Sequence, residues 1–153
     1  MKTLDTRDLY KRKCELESLR DAVTTAREEL DQIATNKPDE DEGLAAFEAW
    51  EKEKEDAESN LESAEADFGD DEKEELDELE TLESEISGFM HGETMVREND
   101  FEDYARELAD DIGAIPDESR WPCTCIDWEQ AAKELAMDYS EVTYQGDSYY
   151  VRS

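Results

Sequence analysis

The sequence predicts a mainly α protein: an acidic antiparallel coiled coil or helical hairpin followed by a small α+β domain. Three observations predict it. Apolar residues recur at steps of three and four through most of the first 87 positions, the spacing of a single helix stripe. Residues 38–87 hold 23 acidic side chains against Lys52, Lys54 and Lys73, a net charge of −20 out of −31 for the whole chain. Aromatic residues gather in the remainder, with 9 of the 13 at positions 89–153. The expected division is a helical region at 1–88, with its acidic part at 38–87, and a small α+β domain with a C-terminal hairpin at 89–153.

The first helix is expected over residues 6–35. Leu9, Leu16, Leu19, Val23, Ala26, Leu30 and Ile33 form a heptad seam with one position missed, at Arg12 or Lys13. A long helix with one narrow stripe is marginal in water and needs a partner helix. Eight basic residues up to Lys37 balance eight acidic ones, so the counter-charge of the chain is concentrated here. Pro38 cannot continue a helix and drives Lys37 out of the α region, which ends the segment. The acids at 39–42 suit a following helix N-terminus. Gly43 is misplaced for a calcium loop.

The second helix, expected over 44–68, has Leu44, Phe47, Trp50, Ala57, Leu61, Ala64 and Phe68 as its seam, with Lys54 inside it. Gly69-Asp70 breaks it. The third, over 71–87, carries Leu76, Leu79, Leu82 and Ile86. Three helices joined by short breaks fold as an antiparallel hairpin or bundle. Dimerisation through the same seams is equally allowed.

Gly88 and Gly92 then bracket a hinge. Asn99 or Asp100 is expected to cap a helix reaching about Ile112, with Phe101, Tyr104, Ala105, Leu108 and Ile112 inward. Residues 121–126 read as an extended connection. Asp127 with Gln130 resembles a capping box opening a helix to about Met137, with Trp128 in the domain core. The tail reads as a β-hairpin around Gln145-Gly146-Asp147.

Composition excludes several function classes. There is no apolar run of the roughly 18 residues a membrane span needs, and no apolar leader at the N-terminus. A bacterial cytoplasmic location is expected. The cysteines, Cys14, Cys123 and Cys125, are odd in number and fit a reducing compartment as buried, unreactive thiols. Cys123 and Cys125 with His91 lack the spacing of a zinc site. No metal, cofactor or catalytic centre is expected. The single histidine lies in the hinge, and no glycine-rich phosphate loop exists, so the chain reads as a non-enzyme. A charge of −31 repels nucleic acid and anionic lipid and favours a basic partner.

Duplex DNA carries one charge per about 1.7 Å of axis. Nine acids on the second helix and nine on the third give about one per 4 Å and one per 3 Å at the helical rise of 1.5 Å per residue. Side by side, the two helices would reach the order of DNA. The residues expected to contact a partner are Glu51, Glu55, Glu58, Glu62, Glu65, Glu72, Glu75 and Glu83, chosen as lying off the apolar seams. The expected partner is the basic DNA- or RNA-binding groove of another protein. The other reading is an acidic coiled-coil adaptor without mimicry.

The C-terminal part resembles the end of the ArdA-type antirestriction family. The residues concerned are FEDYARELADDIGAIP at 101–116, IDWEQAAKELAMDYSEV at 126–142 and YYV at 149–151. The resemblance implies an acidic DNA mimic from a mobile element that inhibits a restriction or CRISPR-type defence protein. Upstream, a long helical segment stands in place of the family's other α/β lobes.

Overall fold

Helix α1 occupies Thr6–Thr35, the range its apolar spacing predicts. The computed structural model describes residues 1–117 and 119–152. It is mostly helical, with one small antiparallel sheet. The chain divides into two compact units. One is Arg12–Asp77; the other joins Met1–Lys11 to Glu78–Ser153. The boundary expected after residue 88 falls inside the second of these.

The Arg12–Asp77 unit contains most of α1, helix α2 (Leu44–Asp67) and the first half of helix α3 (Asp70–Glu85). Contacts run in opposite order along α1 and α2, so the two are antiparallel. Trp50 donates its indole N–H to the Ile33 carbonyl at 2.7 Å. Closer to the start of α1, Arg27 meets Glu65 at 3.0 Å. Leu16, Ala26, Ala57, Phe68 and Leu76 are buried. Leu19, Val23, Leu30, Ile33 and Leu61 are half-buried. The missed seam position is filled by charge. Lys13 is buried and bonds Glu17 at 2.7 Å. Arg12 forks onto Glu75 through Nε and Nη2, both at 3.0 Å.

The other unit is built on a four-stranded sheet, β1 (Thr3–Asp5), β2 (Thr94–Arg97), β3 (Ser140–Tyr144) and β4 (Asp147–Val151). Its order is β1-β2-β4-β3, antiparallel throughout. Opposed residues share a face. Val96 pairs with Tyr150, and this face packs on helices α4 (Phe101–Asp111) and α5 (Trp128–Ala136) through Phe101, Ala105 and Ala132. Met95 pairs with Val151 and Tyr149 with Val142, and these four buried side chains lie on the second face. An apolar face must be covered. Leu9, Leu79, Leu82, Ile86 and Phe89 of the same unit are buried as well. Glu78 ties α3 to the hairpin tip by accepting the Gln145 N–H at 2.6 Å.

Several expectations are corrected. The sheet takes strands from both sides of the helical unit: β1 and β2 join the predicted hairpin. Reciprocal bonds between Thr6 and Glu93 lock the start of α1 to β2, at 3.0 Å from the Thr6 N–H and 2.7 Å to its hydroxyl. The Asp100 side chain caps no helix and instead accepts the Lys2 N–H at 2.8 Å. Ile112 is exposed rather than inward. Trp128 is half-buried beneath the Arg106 guanidinium, 5.3 Å from its ring, instead of in the core. Residues 123–125 form a 3-10 turn rather than an extended run. Cys125 is exposed, and Cys14 and Cys123 are half-buried. Asp127 does cap α5, accepting the Gln130 N–H at 3.1 Å.

Candidate functional site

Five of the nine acidic residues of α2 fall into a stripe. Glu51, Glu55, Glu58, Glu62 and Glu65 follow at steps of four, three, four and three, which keeps them on one side of the helix with neighbouring Cβ atoms about 5–6 Å apart. The seam formed by Trp50, Ala57, Leu61 and Phe68 lies beside it. All five glutamates are exposed. Glu65 is held by Arg27 at 3.0 Å, and Glu58 lies 3.9 Å from Lys54. Lys54 itself stacks over Trp50 at 5.4 Å. No cation engages Glu51, Glu55 or Glu62 among the described residues. Helix propensity favours this run, since Glu, Ala and Lys are good helix formers. Like charges at steps of three and four oppose it by a few tenths of a kcal/mol per pair.

Helix α3 is turned differently from what its sequence suggests. Leu76, Leu79 and Leu82 are buried. Seven residues before Leu79 is Glu72, and seven before Leu82 is Glu75. Both glutamates therefore continue the apolar line and are half-buried. Glu75 is only 22% exposed in its side chain and serves as the acceptor of the Arg12 fork. That hydrogen bond, ahead of a second one to Glu15, raises the Arg12 guanidinium above its usual range. The exposed carboxylates of this part of α3 are Asp70, Asp71, Glu74 and Asp77. Sequence reasoning passed over them because the seam was not extended a turn upstream of Leu76. Glu83 is exposed and lies in the sheet-bearing unit.

The α2 stripe from Glu51 to Glu62 spans about 16 Å. Its four carboxylates are sparser than one strand of DNA, which carries a phosphate about every 3.4 Å. The likeness to nucleic acid is thus one of summed field and not of atom-by-atom spacing. The surface offers acceptors and negative potential. Among the described residues no helix is long and apolar enough to cross a membrane. No protein family, curated protein or solved structure matches this chain.

Proposed function

We propose that the protein is an acidic DNA mimic that blocks the DNA-binding site of a bacterial defence protein, of restriction or CRISPR type, on behalf of a mobile element. The observation that carries this reading is the exposed α2 stripe, in which Glu51, Glu55 and Glu62 engage no cation of the described chain. Carboxylates displayed without counter-charge repel one another and are satisfied when a basic groove closes over them. The outward acids of α3, Asp70, Asp71 and Glu74, add to the field. Glu75 and Glu65 are engaged by Arg12 and Arg27 and hold the helices together. The resemblance of residues 101–151 to ArdA-type antirestriction proteins points to the same class of partner.

The test is competition. Duplex DNA and the protein should displace each other from the target, with affinity falling steeply as salt rises. Single Glu→Gln changes should be nearly silent, since an exposed ion pair is worth about 0–1 kcal/mol. Neutralising Glu51, Glu55, Glu58, Glu62, Asp71 and Glu74 together should abolish inhibition while the helical circular dichroism is kept. Full inhibition by that variant would refute the mimic.

A second reading, an acidic coiled-coil adaptor, draws on the half-buried seam of Leu19, Val23, Leu30, Ile33 and Leu61. That seam leaves apolar area for a partner helix or a second copy. Pairing through it would strengthen or stay level as salt rises, the opposite of groove occupation.

A further inference from the structure

The sheet-bearing unit carries a cavity between α4, α5 and the face of β4 that they cover. Its floor is aromatic and apolar. Phe101, at the start of α4, and Ala132 of α5 are buried there. Tyr150 of β4 and Ala136 of α5, both half-buried, complete it. The Phe101 and Tyr150 rings stand 4.7 Å apart, tilted by 53°. The cavity measures about 290 Å³, at the small end of the roughly 300–1,000 Å³ of small-molecule sites. No residue of the α2 stripe lines it.

The rim is charged. Glu98 stands just before α4, Glu102 in its first turn, and Glu129 and Lys133 on α5. Three carboxylates thus face one lysine, and that lysine is held by Glu129 at 2.7 Å. Glu102 has Arg106 at 3.6 Å, whose guanidinium also lies over Trp128. Glu98 engages no cation among the described residues. Glu141 sits opposite Tyr150 on the hairpin and so shares its face. Burial, then Glu98, then Glu141, hold the Tyr150 hydroxyl above its ordinary range, so the negative potential reaches the ring. A strongly hydrated metal cation would have to shed water onto this apolar floor, which is costly. A cation covered in methyl groups loses little there, and the face of an aromatic ring attracts it.

We infer that this cavity binds a small organic cation, an ammonium centre carrying methyl or methylene groups. The cation lies against the Tyr150 ring, which Phe101 backs. Glu98 and Glu102 supply the counter-charge, and the two alanines meet the alkyl part. The site lies in the other unit from the α2 stripe and does not depend on the mimic reading.

Choline is the probe, added to the full-length protein and followed by methyl and aromatic resonances. Salt at about 0.15 M limits the diffuse pull of the chain to a screening length of about 8 Å. The control is the neutral carbon isostere of choline, with a tert-butyl group in place of the trimethylammonium. Saturable shifts are expected at the Ala132 and Ala136 methyls and the Tyr150 ring. Choline should bind about tenfold or more tightly than the isostere, because ring and carboxylates both recognise the charge. Tyr150→Leu keeps the floor apolar and should weaken choline about tenfold; Glu98→Gln, at an exposed position, should weaken it about threefold. Neither should change binding of the isostere much. Shifts spread over the acidic surface instead of this cavity, equal binding of the isostere, or an unchanged Kd in Glu98→Gln overturns the inference. If Tyr150→Leu fails to fold, choline against the isostere on the unaltered protein decides, with Glu98→Gln beside it.

Discussion

The two units bury their apolar side chains to different depths. In the sheet-bearing unit Leu79, Leu82, Met95, Val96 and Val151 are wholly removed from solvent; in the helical unit only Leu16 is. A sheet offers two broad faces, each of which can be covered, whereas a helix offers one narrow stripe. The helical unit also packs a net charge of −17 into 66 residues, against −14 over the other unit's 87. Its helices are held by a thin seam, the Arg12 fork, and cations laid over Trp50. The lesson is a division of labour. Burial stabilises one unit, while in the other a charged surface is displayed at the expense of stability.

That contrast can be broken by mutation. Leu82→Ala should cost about 2–5 kcal/mol, the usual range for a packed core. Leu30→Ala, at a half-buried seam position, should cost less than about 2 kcal/mol. Urea unfolding is followed through Trp50 for the helical unit and Trp121 and Trp128 for the other. Equal costs would end the comparison.

Salt should sharpen it. Raising ionic strength from 0.01 to 1 M shortens the screening length from about 30 to about 3 Å. Self-repulsion is then quenched, and the helical unit should melt about 5 °C higher or more, with a smaller rise for the sheet-bearing unit. Equal shifts in circular dichroism and Trp128 fluorescence would argue against charge as the difference.

A smaller effect is expected at a helix end. Asp127→Ala removes the bond to the Gln130 N–H and should cost about 1 kcal/mol. Faster amide exchange should be confined to the first turn of α5.

The smallest concerns alkaline pH. Burial, then the 3.1 Å hydrogen bond with Tyr104, pushes the Tyr139 hydroxyl up to about 12. Its neutral form is the one the fold favours. The contribution is whole below pH 10, where folded and unfolded chains both keep the proton. It fades between pH 10 and 12, where only the unfolded chain releases it. Thermal melts across that window should lose slope in Tyr139→Phe.

Local signals were legible in the sequence and distant ones were not. The seam of α1 fixed both of its ends, because periodicity and Pro38 act on the chain itself. The Asp127 cap and the two-strand tail were readable for the same reason. Strand β1 is three residues, Thr-Leu-Asp, with no pattern of its own; it exists because Met95 and Val96 lie opposite Leu4 and Thr3. The stretch before β2 read as a hinge because Gly88 and Gly92 are left-handed there. At Gly92 an added Cβ would lie 2.5 Å from the Arg7 Nε, so the glycine also makes room for a side chain far away in sequence. Of the candidate carboxylates, the α2 set lies outward as read. Glu72 and Glu75 do not, since the helix carries its buried line one turn upstream of its first leucine, Leu76.

The pairing of β1 with β2 also sets an order of events on the ribosome. The helical unit is one unbroken stretch ending at Asp77, and its contacts are available once that residue has emerged. The sheet needs residues 3–5 to find residues 94–96 and then β4, whose last residue is Val151. Such distant pairings carry a large loop-closure cost and form slowly. Chains still being synthesised will therefore expose the acidic helical unit first, with the first strand waiting for β2 and β4 to emerge.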